Sequence, residues 1–191
     1  MPFTLAVLGG ALLASLLRGG RFHRIADADL SLGWLLFLGV ALQVGVDLAA
    51  ARSLLPDAGW SGWMLLLLSQ LLVVGFLIAN RHLPGVGWVA FGLALNAVVM
   101  AANRAMPVSP AAIAALGIGD VAVLPGKHTL LTTSTRLPWL ADVIPLPWLR
   151  SIISVGDLVL AVGVFPLTHA LMSGATRPDL PGEPGGAGPS R

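Results

Sequence analysis

Residues 152–172 read IISVGDLVLAVGVFPLTHALM, with one carboxylate, Asp157, and no lysine or arginine. As a helix rising 1.5 Å per residue, a run of this length crosses a hydrocarbon core of about 30 Å. The stretch before it, KHTLLTTSTRLPWLADVIPLPWLRS (127–151), is polar and rich in proline. Counted from Arg150, Asp157 is expected roughly 10 Å along the helix. A carboxylate inside an apolar span costs several kcal/mol, so it is expected to have a partner or a task.

Working outward, four more runs are apolar enough to span: roughly 2–17, 30–50, 61–79 and 85–102. The expected fold is all-α, a polytopic transmembrane helical bundle of five spans. Composition agrees. The 191 residues are 56% hydrophobic and 10% charged, with mean hydropathy +0.86, whereas a soluble domain carries about 25% charged residues. The first run reads as a retained span, with a signal peptide as the alternative. No basic residue precedes it, and RGGRFHR follows directly.

Net charge is +2 and the basic residues are scattered, so no basic face can be drawn and no nucleic-acid partner is expected. The chain has no cysteine, which excludes disulfides, thiolate catalysis and cysteine metal sites. His23, His82, His128 and His169 are isolated in sequence, and neither a metal nor a cofactor is expected.

Five spans place Arg18, Arg21, Arg24, Arg81, Arg177 and Arg191 on one side, and Arg52, Arg104, Lys127, Arg136 and Arg150 on the other. The density of arginine in the first loop makes the former side cytoplasmic. The N-terminus is then outside, the C-terminus inside, and the loop 103–149 extracytoplasmic. Trp60, Trp63, Trp88, Trp139 and Trp148 stand at span boundaries as headgroup-layer anchors. The tail 173–191, rich in proline and glycine, is expected to be disordered.

Within the loop, Ser109-Pro110, AAIAAL and Gly117 predict a short surface helix that serine caps, proline starts and glycine ends. Asp120 and a Pro125-Gly126 turn follow. LPWL occurs twice, at 137–140 and 146–149, as a pair of interfacial anchors or as the aromatic wall of a pocket.

The polar residues of the spans gather toward this loop. The second span ends at Asp47, the fourth at Asn103 and Arg104 with Asn96 two turns deeper, and the fifth holds Asp157. Asn96, Asn103, Arg104 and Asp157, with Lys127, His128, Arg136 and Asp142 of the loop, form a candidate ligand-binding group, and Asp47 lies on the same side. Arg104, Lys127, Arg136 and Arg150 are the expected salt-bridge partners of Asp157. Gln43 and Gln70 are read as interhelical hydrogen-bonding residues, and Gly163 as a point of close helix approach. His169 is read as an interfacial residue.

Several pieces in order carry a family resemblance: NRAMPVS (103–109), KHTLL (127–131), RLPWLADVIPLPW (136–148) and SVGD (154–157). Together they resemble the DUF5317 family of bacterial membrane proteins. The resemblance implies no activity. Its pattern often has glycine after the asparagine; here Arg104 stands there, so the tight glycine turn is not expected.

SVGDLVLAVGVF (154–165) also resembles the last-span motif of lipoprotein signal peptidase, where an aspartate is half of a catalytic pair. That likeness implies Asp157 acting with Asp47 or Asp142 on one water. The other aspartate motif of that family would fall near MAANRA (100–105), where this chain has Asn103.

The expectation is therefore a binding protein or accessory subunit, not an enzyme, with a polar site around Asp157. Its expected partners are membrane lipid and, for an accessory subunit, another membrane protein. A small-solute transporter and an aspartyl hydrolase are the alternatives.

Overall fold

The structure is a computed structural model that describes residues 2–52, 60–117 and 128–174. Lys127, Asp120 and the tail beyond Gly174 lie outside the described residues, as do the side chains of Trp60 and Trp63.

The fold is mostly helical. Five long helices, α1 (Pro2–Leu17), α3 (Gly33–Ala51), α4 (Trp60–Ala79), α5 (Val86–Asn103) and α7 (Val155–Ser173), are joined by the short α2 (His23–Ala26) and by an irregular segment before α7. Of these, α5 and α7 are long and apolar enough to cross a membrane; Pro2–Leu17, Gly33–Ala49 and Met64–Ala79 are apolar but shorter. Among the described residues, two helices thus have both the length and the hydropathy of a membrane span.

Helices consecutive in the chain, α3 with α4 and α4 with α5, run antiparallel and are joined by side chains. Ser69 Oγ on α4 donates to the Gly39 carbonyl of α3 (2.8 Å), and Gln70 on α4 reaches Met100 on α5. Helices α1 and α7 run parallel: Ser15 and His169 are hydrogen-bonded at 3.2 Å, and Arg21 N–H donates to the Met172 carbonyl.

The closest contact joins α5 to α7. Gly85 and Gly92 on one side face Gly163 and Gly156 on the other, each pair seven residues apart and so on one helix face. A Cβ on Gly92 would lie 2.5 Å from the Gly156 carbonyl oxygen, and one on Gly163 would lie 2.6 Å from that of Gly85. Small residues let the two backbones meet, as expected for Gly163.

Two asparagines at helix ends clasp distant backbone in the same way. Asn80, fully buried after α4, accepts from Ser31 N–H (3.0 Å) and donates to the Ser31 and Phe76 carbonyls (2.8 Å each). Asn103 at the end of α5 accepts from Arg136 N–H (2.8 Å) and donates to the Arg136 and Val99 carbonyls (2.8 and 2.9 Å). Each amide closes its own helix end and fixes an irregular strand of chain to it. Arg104, the cap residue after Asn103, has φ 59° and ψ 13°. The left-handed turn is thus made without glycine, against expectation.

The segment between α5 and α7 is more ordered than a loop. The predicted short helix forms as α6 (Pro110–Ala115), with Ser109 Oγ accepting from Ala112 N–H and Gly117 at φ +63°. Around it, β1 (Met106–Val108) pairs in parallel with β2 (His128–Leu130), and β3 (Ile144–Leu146) pairs antiparallel with β4 (Ser151–Ile153). Both LPWL copies make 3-10 turns, at Pro138–Leu140 and Pro147–Leu149. None of the strands was expected. Each is three residues long, too short for a period of two to register.

The apolar core lies toward the end away from the strands, where Phe76, Leu77, Leu83, Val86 and Val89 pack with residues of α3 and α7. The strand end holds polar groups instead.

Candidate functional site

Helix α7 begins at Val155, not at residue 152, because Ser151–Ile153 pair as β4 and Ser154 caps the helix. Ser154 Oγ accepts from Asp157 N–H (3.0 Å), and Asp157 Oδ2 accepts from Ser154 N–H (3.0 Å). This reciprocal box satisfies two N–H groups that the helix leaves unpaired. Asp157 therefore stands in the first turn, where the helix dipole favours a carboxylate, and not in the interior of a span.

Asn96 on α5 completes the arrangement. Its Nδ2 donates to Asp157 Oδ1 (2.9 Å), and its Oδ1 accepts from Ser154 Oγ (2.9 Å). Four hydrogen bonds thus close a ring of three side chains, fixing the start of α7 to α5. Among the described residues, the hydrogen-bond partners of Asp157 are Asn96 and Ser154; of the expected cations, Lys127 lies outside them. The reason for the Ser154 pairing is local: serine three residues ahead of aspartate at a helix start places the carboxylate against the capping residue itself.

Beside this ring lies a cavity of about 210 Å³. All five long helices contribute to it: Thr4 from α1, Gln43 from α3, Gln70 from α4, Asn96 from α5 and Asp157 from α7. The strand segment covers it with His128, Asp142 and Ser151. Asp142 is buried, and its backbone ties the segment together: its N–H donates to the Pro107 carbonyl and its carbonyl accepts from Ser109 N–H (2.9 Å each). Gln70 donates through Nε2 to Met100 Sδ, while its Oε1 is buried with no hydrogen-bond partner among the described residues.

Of the expected site residues, Asn96, His128, Asp142 and Asp157 come together at this cavity. Asn103 and Arg136 do not; they hold one another through the backbone clasp. Arg104 is an exposed helix cap, and Lys127 lies outside the described residues. Asp47, half-buried on α3, does not line the cavity. Trp139 and Trp148 are 64% and 77% exposed and also stand outside it, so LPWL does not form its wall. Thr4, Gln43, Gln70 and Ser151 were missed as site residues. Mid-helix glutamines in two otherwise apolar runs were the available signal.

This is a helical bundle with two helices fit to span a membrane and a polar cavity at one end. The chain belongs to the DUF5317 family, described as a family of unknown function, whose model matches residues 27–168. An uncharacterized protein of Thermotoga maritima is 39% identical over 102 residues, which is 51% of this chain and 58% of the relative. The match thus spans little more than half of that relative's length. No solved structure matches the chain.

Proposed function

We propose that the protein is a multi-pass membrane protein of five spans that holds a small amphipathic ligand in the cavity beside Asp157, as a binding protein or accessory subunit. The observation that carries this reading is the meeting of polar side chains from all five long helices in one cavity. Membrane burial is supported by the outer helix faces. Leu5, Phe37, Leu71, Phe91 and Val162 are all more than half exposed. Only 22% of each spanning window in α5 and α7 is buried, unlike the core helix of a soluble protein. Interior polar groups within apolar helices mark ligand sites in such proteins.

An aspartyl hydrolase is the second reading, favoured by Asp142 and Asp157 lining the same cavity. It needs a carboxylate able to take a proton from water. Both oxygens of Asp157 already accept structural hydrogen bonds, which favours binding over catalysis.

Thr4 is exposed at the start of α1 and lines the cavity, so Thr4→Trp should fill it without disturbing the fold. Chain purified from membranes in mild detergent is expected to carry a small molecule that mass spectrometry detects after solvent extraction. The variant should lose it. A wild-type chain free of any such molecule, or equal retention by the variant, counts against the reading.

A further inference from the structure

A second cavity, of about 420 Å³, lies at the opposite end between α1 and α7. Its walls are mostly apolar, including Ala14, Phe165 and Pro166, while Arg18, Ser15 and His169 supply polar groups. Ser15 is buried and its hydroxyl is hydrogen-bonded to His169 Nδ1 at 3.2 Å, which fixes the imidazole between the helices. Arg18 follows the last residue of α1 and is exposed, and among the described residues its guanidinium has no partner.

Arg24, by contrast, is engaged: its Nη1 donates to the Ser173 carbonyl at the end of α7. The two arginines therefore do different work. Arg24 closes a helix end, and Arg18 presents a forked donor at the mouth of an apolar groove. From that mouth the groove continues along α1 past Ala14 and Ala11, opposite Phe165 of α7.

We infer that this groove binds an anionic phospholipid, its phosphate on the Arg18 guanidinium and its acyl chain along the α1–α7 face. Charge complementarity selects the head: a guanidinium forks onto phosphate oxygens, and nothing acidic lines the groove among the described residues. The apolar walls select a chain-bearing molecule over free phosphate. At roughly 30 Å³ for each water displaced, the groove has room for a phosphoglycerol head and the first methylenes. The inference rests on the membrane placement proposed above but not on the cavity at the other end.

The test uses the full chain in mild detergent with phosphatidylglycerol or phosphatidylcholine added at equal mole fraction, with bound lipid counted by native mass spectrometry. The expected result is a preference for phosphatidylglycerol of about fivefold, the worth of one arginine near an anionic group. Arg18→Gln should abolish it. Arg81→Gln, in the exposed turn before α5 and outside the groove, should leave it unchanged. Equal retention of both lipids, a preference that survives Arg18→Gln, or equal loss in Arg81→Gln overturns the inference. Displacement of the lipid by millimolar inorganic phosphate assigns the groove to a free anion and overturns it too. A chain that stays dispersed without detergent contradicts the membrane placement itself; a detergent-dependent chain with no lipid preference contradicts only the lipid site.

Discussion

Asp157→Ala should destabilise the protein by about 3 kcal/mol, and Asp157→Asn by roughly half as much. The alanine variant removes both acceptors of the ring. It leaves Ser154 N–H and one Asn96 N–H without partners beside a serine that is fully buried. The asparagine variant keeps one acceptor but turns an NH₂ group toward a donor. Unfolding in mild detergent, followed by tryptophan fluorescence, measures both. A catalytic aspartate predicts the opposite pattern, with folding intact in Asp157→Asn and turnover lost. An alanine variant as stable as the wild type would show that the ring does not hold α7 to α5.

Gly92→Ala should destabilise by about 3 kcal/mol or prevent folding. The added methyl would meet the Gly156 carbonyl oxygen at 2.5 Å and Leu160 N at 2.6 Å, both backbone atoms that cannot turn aside. Relief requires α5 to move off α7, which also stretches the Asn96–Asp157 bond at the next turn. Gly87 on the same helix has nothing within 4 Å of an added Cβ. Gly87→Ala is therefore expected to be neutral or to stabilise by about 0.5–1 kcal/mol, the helix-propensity difference. Thermal unfolding of the pair separates packing from propensity. Equal effects at the two glycines would contradict the close approach.

Much of this was legible in the sequence, unevenly. The apolar runs predicted the five long helices, and span alternation put Asn96 and Asp157 at one end. Both follow from period and length, which survive without tertiary information. Asp157 was read as a costly interior charge because the run was started at Ile152. Ser154 and Asp157 carry the spacing of a capping box, and that signal was available. The seven-residue spacing of Gly85 with Gly92 and of Gly156 with Gly163 was equally visible, but which pairs face one another depends on helix rotation.

The strands were not legible. Prolines at 107 and 145 sit inside β1 and β3, where proline ordinarily argues against a strand. Three-residue edge pairs tolerate it. Nor could the cavity be drawn, since Gln43 and Gln70 belong to runs whose mutual distance only packing decides.

Both proposed sites rest on the bundle spanning a membrane, and the absence of native cysteine makes that directly measurable. Ser134→Cys lies in the exposed strand-end segment and Arg81→Cys in the exposed turn at the opposite end. A membrane-impermeant maleimide applied to intact cells should label position 134 and spare position 81 until the membrane is opened. Labelling of both positions in intact cells would contradict a bundle that crosses the membrane, and labelling of position 81 alone would reverse the orientation.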